Sequence, residues 1–230
     1  MTDLPEELQA LAEEIDQQTA PRLRQVLRQF VESLQRQRAS QRSLKVGDVA
    51  SDFALKDQNQ RVVHLYDQLK KGPVVLTFFR GGWCPFCNLT LQAWRYALPE
   101  IEFQGAQLLA ITPESGEHAR RTVQKNKLDF SVLQDHGSEV ARSFKVSIAL
   151  SEYLSAFYRS LGLNLLTRHQ DKIARLPMPA TYVIDTNGII RYAFVAEDYT
   201  QRADISEVLE VLKQWTNETK PMYTPAYAVA

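Results

Sequence analysis

Apolar residues recur at helical spacing through the first forty positions. Leu4, Leu8, Leu11 and Ile15 form one stripe, and Leu23, Val26, Leu27, Phe30, Val31 and Leu34 form a wider one. Gln, Glu and Arg fill the gaps, no Gly interrupts the pattern, and Pro21 fits the first turn of the second helix, where a missing N–H costs nothing. Residues 1–40 are therefore expected to form a helical arm. Amphipathic helices usually serve their own core, so the arm is expected to pack on the chain that carries it. Its alternative use is a dimer or partner contact.

From Lys45 the pattern shortens. GDVASDFALKDQNQRVVHL reads as an extended entry followed by a hairpin, and Val74–Phe79 (VVLTFF) is an apolar, β-branched and aromatic run suited to a strand buried on both faces. Residues 85–98 return to helical spacing through Leu89, Leu91, Trp94 and Leu98, and Pro99 is expected to end that helix. LLAIT at 108–112, a polar helix over 116–127 and FSVLQ at 130–134 complete a β-α-β-α-β alternation. A short helix is expected over 139–145. Leu150, Tyr153, Leu154, Phe157, Tyr158 and Leu161 make another helical stripe, best read as core packing; an apolar approach to a site and a dimer contact are its alternatives. ATYVID and IIRYAFV flank Thr186, Asn187 and Gly188, a strong hairpin signal. Ile205, Val208, Leu209, Leu212 and Trp215 share one face of a last helix, and the aperiodic end of the chain is expected to be a mobile tail.

Composition narrows the function. The chain has 230 residues, 44% apolar and 23% charged, with 27 basic against 27 acidic groups. That length supports a sizeable core without disulfides or metal. The balanced charge, with no basic run among aromatics, argues against nucleic acid as a partner. No run of about 18 apolar residues suggests a membrane span, and the acidic start MTDLPEELQ lacks the order of a secretory signal, so a cytoplasmic location is expected.

Two cysteines, Cys84 and Cys87, are too few for a disulfide scaffold or a four-cysteine zinc site. They lie in Arg80–Cys87, RGGWCPFC, between the buried strand and an amphipathic helix. A Cys-x-x-Cys at that junction puts the first sulfur at a helix N-terminus, where unpaired N–H groups and the dipole favour a thiolate, with Pro85 in an early helical position. The second sulfur, one turn on, can resolve a mixed disulfide or a sulfenic acid formed on its neighbour. Two inert buried cysteines are the plainer reading of the same residues, and the strand-to-helix setting argues against it. None of His64, His118, His136 and His169 stands at a telling spacing from the pair, so no metal and no cofactor is expected.

VVLTFFRGGWCPFC is similar to the redox centre of the thioredoxin superfamily. Together with VGDVASDFAL upstream, LPMPATYVIDTNGIIRYAF and EDYTQR, it resembles the peroxiredoxin-like branch of the AhpC/TSA family over roughly residues 45–215. The resemblance implies an α/β thioredoxin fold: a central mixed sheet with helices on both faces, a peroxiredoxin-like N-terminal β-hairpin, and the helical arm as an addition. It implies a domain over 45–217, a helical insertion near 146–175 and a tail over 218–230.

Laid without gaps on the peroxiredoxin pattern Pro-x-x-x-Thr-x-x-Cys, Arg80 falls on the Pro, Cys84 on the Thr and Cys87 on the peroxide-attacking Cys. The peroxide-polarising Arg of the later strand falls on or near Pro179, so the peroxide-activating residues are changed. The thioredoxin pattern fits more closely in other respects. Trp83 precedes the first Cys, and Pro179, before Ala180 and Thr181, matches the cis-proline that leaves a backbone edge for a disulfide substrate. Pro85 and Phe86 between the cysteines resemble the Pro-Tyr of glutaredoxins, which implies a less reducing potential. The buried Asp of thioredoxins is replaced by Thr77 or Phe78.

Arg80 is read either as a support for a thiolate or bound hydroperoxide or as a surface ion pair, and Trp83 either as a shield or as a core cap. Gly81 and Gly82 permit a tight turn beneath the sulfurs. Tyr199 and Arg202 belong to the resemblance without an assigned role, a salt bridge near the last helix accounting for Arg202.

The resemblance implies an antioxidant thiol peroxidase that reduces hydrogen peroxide or an alkyl hydroperoxide through a Cys84/Cys87 disulfide cycle, with a thioredoxin- or glutathione-type reductant and a homodimer as one use of the arm. The rivals are a thioredoxin- or glutaredoxin-like disulfide reductase led by Cys84 and a redox-sensing interaction module.

Overall fold

A computed structural model describes residues 4–219. The helices in chain order are α1 (Leu4–Gln18), α2 (Pro21–Arg36), α3 (Leu65–Leu69), α4 (Pro85–Phe103), α5 (Gly116–Asn126), α6 (Glu139–Ser143), α7 (Glu152–Ser160), α8 (Leu165–His169) and α9 (Ile205–Thr219). The strands are β1 (Ala54–Lys56), β2 (Val62–His64), β3 (Val74–Phe78), β4 (Gln107–Thr112), β5 (Ser131–Gln134), β6 (Ser147–Ala149), β7 (Arg175–Pro177), β8 (Ala180–Ile184) and β9 (Ile190–Val195).

Seven strands form one sheet in the order β2-β1-β5-β4-β3-β8-β9. β3 and β8, wholly buried, are the apolar runs that periodicity marks as central. β3 runs parallel to β4 and antiparallel to β8, so the sheet is mixed. The crossover helix α4 joins the parallel pair, while Asn187 and Gly188 turn β8 back into β9, with Gly188 at φ +82°. Strand alternation sends Val75 and Val183 into one core with α1, α4, α5 and α9, and Val74, Leu76, Tyr182 and Ile184 into another with α2, α3 and α6.

The arm helices lie on this body. Leu4 and Leu8 of α1 join the core around α4, and Leu34 of α2 joins the opposite core. Val26 packs with Leu150, Leu154, Phe157 and Tyr158, so these four residues of the stripe are core packing, with Tyr153 and Leu161 left exposed. β6 and β7 form a separate antiparallel ribbon that brackets α7 and α8.

Two expectations need correction. α4 does not stop at Pro99 but continues to Phe103, because Pro99 removes only one helical N–H while Trp94, Ala97, Leu98 and Ile101 hold that side of the helix in the core. No cis peptide occurs among the described residues, so the bond before Pro179 is trans. Backbone pairing on both sides fixes this stretch: Met178 donates to the Val146 carbonyl at 2.8 Å, and the Pro179 carbonyl accepts from Ala196 at 3.1 Å. The expected mobile tail lies, from residue 220 on, outside the described residues. Among those residues, no helix is long and apolar enough to cross a membrane.

Candidate active site

β3 ends at Phe78, and Phe79, Arg80 and the two glycines lead into α4. Gly81 has φ +147°, and a Cβ there would lie 2.5 Å from Trp83 Nε1 and 2.7 Å from the Glu114 carboxyl carbon. At Gly82 a Cβ would meet Thr122 Oγ1 at 2.0 Å. Only glycines let the chain pass this close to its neighbours.

Both polar groups of Gly82 are held. Its N–H donates to Glu114 Oε2 at 2.8 Å, and its carbonyl accepts from Asn88 Nδ2 at 2.9 Å. Asn88 is steadied in turn by Asn126 at 2.9 Å. Glu114 is fully buried and also accepts from Arg168 Nε of α8 at 2.5 Å. One carboxylate thus ties the Gly81–Gly82 turn to α8. Leaving Arg168 without it costs about 3 kcal/mol. Glu114→Ala is expected to lower stability by about that amount in urea denaturation; an unchanged midpoint would show that the ion pair contributes nothing.

Cys84 is the N-cap residue of α4, Pro85 occupies its exposed first position, and Cys87 sits in the first turn. The cysteines are 2% and 1% exposed. Contrary to the expectation that the helix terminus makes Cys84 the thiolate, Cys84 holds its proton. Burial pushes its pKa well up, and its hydrogen bond to Cys87 adds to the rise. Burial alone would push Cys87 up as well. The hydrogen bond from the Cys84 thiol, the positive charges of Arg202 and Arg80, and a hydrogen bond from the Arg80 backbone N–H outweigh it, and Cys87 is lowered to about 5. Specific donors, more than the helix end, decide which sulfur is charged.

Arg202 Nη2 donates to Cys87 Sγ at 3.3 Å. Its Nη1 is fixed by the carbonyls of Tyr199 at 2.7 Å and Gln201 at 2.6 Å. The salt bridge expected for Arg202 is replaced by this contact, since the guanidinium is turned toward the sulfur. Arg80 is likewise no surface ion pair: it is 4% exposed, and among the described residues no carboxylate faces it. Its Nη2 donates to the Tyr158 hydroxyl, its Nε has no partner among the described residues, and its guanidinium carbon lies 4.8 Å from the Trp83 and Tyr199 ring centres and 5.7 Å from that of Tyr158. Cation–ring contacts contribute about 0.5–2 kcal/mol each, comparable at best with the several kcal/mol lost on burying the charge. The Cys87 thiolate supplies the missing counter-charge.

The remaining sequence-marked residues are placed differently. Trp83 is half-buried and packs edge-on to Tyr158 at 5.6 Å, lying over Arg80 between α7 and the redox turn. Pro179, Arg80 and Tyr199 line one small recess. Thr181 does not join the sulfurs; its hydroxyl meets that of Thr77, 3.2 Å away across the β3–β8 pair. Thr77, on the face of β3 that Val75 turns toward α4, offers no carboxylate to the cysteines. Arg202, Tyr158, Tyr199 and Glu114 belong to the site without having been assigned there from sequence. EDYTQR was the one signal for two of them. Among the described residues no three His, Cys, Asp or Glu side chains form a metal site.

A model of the AhpC/TSA family matches residues 46–193. A putative chloroplastic peroxiredoxin Q of Oryza sativa subsp. indica is 26% identical over 167 residues, covering 73% of this chain and 66% of that protein, just under two thirds of its length. The chloroplastic peroxiredoxin Q of Sedum lineare is 27% identical over the same length, covering 73% of this chain and 77% of that protein. Among solved structures, peroxidoxin BcpB of Mycobacterium tuberculosis superposes with a TM-score of 0.59 at 22% identity, covering 74% of this chain and 97% of that one. A cysteine-to-serine mutant of the Arenicola marina peroxiredoxin 6 gives 0.62 at 14% identity, covering 80% and 79%. The family model spans the chain from just before β1 into β9 and leaves out α1, α2 and α9.

Proposed function

The chain belongs to the AhpC/TSA family, and on that premise we propose that it is a thiol peroxidase in which Cys87 attacks the peroxide and Cys84 resolves the product. The observation that carries this reading is the buried Cys87 sulfur facing Arg202 Nη2 at 3.3 Å. The relatives named peroxiredoxin support it.

The Cys87 thiolate attacks one peroxide oxygen, the O–O bond breaks, and the departing alkoxide or hydroxide takes a proton, leaving Cys87 as a sulfenic acid. The Cys84 thiol is a proton source within hydrogen-bond reach. Arg80 and Arg202 offset the negative charge that passes from sulfur to oxygen. Cys84 then attacks the Cys87 sulfur, hydroxide leaves and is protonated to water, and a disulfide forms. Dithiol plus hydroperoxide thus gives disulfide, alcohol and water. A thioredoxin- or glutathione-type thiol returns the two electrons.

A disulfide reductase led by Cys84 is less well supported. Cys84 is the protonated sulfur, and the Pro179 carbonyl is already paired with Ala196.

Stopped-flow tryptophan fluorescence of the reduced protein with hydrogen peroxide tests the proposal, because Trp83 contacts the site. Oxidation at pH 7 is expected to exceed that of a free thiol by about a thousandfold or more. The reactive form of an acid with a lowered pKa is lost on acidification, so the rate falls as pH drops through about 5 and is flat from 6 to 8. A free-thiol rate that climbs steadily toward pH 9 would sink the proposal.

A further inference from the structure

A cleft of about 500 Å³ opens between the arm and the redox helix, lined by Ala12 and Ile15 of α1, Leu27 and Val31 of α2, and Phe86 and Tyr199. Hydrogen peroxide needs little more room than a water, about 30 Å³, whereas a space of about 300–1,000 Å³ is the size of an organic ligand. The cleft reaches Phe86, the chain neighbour of Cys87, and neither cysteine lines it. Phe86 stands between the two cysteines, its ring meets Tyr199 edge-on at 5.8 Å, and Tyr199 lines both this cleft and the small recess that contains Arg80. Tyr199 is half-buried and on a loop, so turning it aside would join the two spaces.

The charges around the cleft restrict the occupant. Glu13, Asp16 and Asp198 stand against Arg24 and Arg28, and Arg24 is already paired with Asp16 at 2.8 Å. Two carboxylates and one guanidinium remain, an excess of negative charge that disfavours an anionic substrate.

We propose that the arm cleft is a specificity subsite that takes the apolar body of a neutral organic hydroperoxide, with Tyr199 as the partition its peroxide group passes to reach Cys87. The arm, outside the part of the chain that matches the family model, would thereby set substrate preference. This inference rests on the peroxidase reading and adds the place in the fold where the organic part of a hydroperoxide is selected. The bond changes are those given above.

Val31 is half-buried and suits a cleft-filling change; Ala12 lines the opposite wall. Val31→Trp and Ala12→Leu are each compared with the wild type on hydrogen peroxide and on cumene hydroperoxide. A fall in kcat/KM of about tenfold or more on cumene hydroperoxide in either variant, with the hydrogen peroxide value kept within about twofold, is expected. Absence of such a selective loss in both variants overturns the subsite. If the wild type itself reduces hydrogen peroxide no faster than a free thiol, the peroxidase reading has failed instead, and the two failures are thereby separated.

Discussion

Cys87→Ser is expected to abolish the fast reaction with peroxide, a loss of more than about a thousandfold, whereas Cys84→Ser is expected to keep the first oxidation and lose turnover. The asymmetry follows from the charge distribution between two sulfurs with nearly equal burial. Cys87 receives Arg202, the Arg80 backbone N–H and the Cys84 thiol, while Cys84 receives no cationic hydrogen bond. In Cys84→Ser the serine hydroxyl can still donate to the thiolate, so attack persists, and the sulfenic acid waits without a resolving thiol. A sulfenic-acid trap such as dimedone should label that variant stoichiometrically after one equivalent of peroxide and leave Cys87→Ser unlabelled. Dimedone labelling in Cys87→Ser, with none in Cys84→Ser, would exchange the two roles.

The second large effect is electrostatic. Arg202→Met removes a charge and a hydrogen bond from Cys87 while keeping an unbranched apolar stem, and such a loss raises a thiol pKa by about 1–3 units. With the wild-type value at about 5, a rise of about two units protonates roughly nine tenths of the thiol at pH 6. The peroxide rate there should fall about tenfold from this cause alone, and the deficit should shrink by pH 8, where the thiolate is restored. Thiolate absorbance in the ultraviolet, titrated in both proteins, measures the pKa directly. Arg202→Lys should recover part of the shift, because it keeps the charge and loses the planar donor. An unchanged titration in Arg202→Met would mean that Arg80 and the Cys84 thiol hold the thiolate without Arg202.

The elements that frame the site were legible because their residues obey one local rule each. The run of Val74–Phe79, the periodicity after Pro85 and the Asn187–Gly188 turn each specify structure within a few residues. Cys84, Cys87, Arg80 and Trp83 could be marked because they are contiguous. What escaped is what long-range packing decides. Arg202 reaches a sulfur 115 positions away, and Tyr158 reaches Arg80 across 78. No spacing rule encodes either contact. Glu114 carries no motif, and its role arises only because β4 ends beside the Gly81–Gly82 turn. Pro179 misled for a related reason: the local Pro-Ala-Thr pattern suits a cis bond, but pairing to Val146 and Ala196 governs the backbone there. The charge on Cys87 follows the same logic, since helix position favoured one sulfur and distant donors favoured the other.

The contact between Arg202 and Cys87 also ties reactivity to completion of the fold. In an unfolded chain both thiols have ordinary acidity, about 8.5, and are mostly protonated at neutral pH. As the chain grows from its N-terminus, Cys87 is made long before residue 202, and the 115 intervening positions include β4, β5, β8 and β9. The share of the thiolate's stabilisation that Arg202 supplies is therefore available only once the loop before the last helix lies beside the cysteines. The acidity of Cys87 is thus a property of the assembled fold and not of the RGGWCPFC segment by itself.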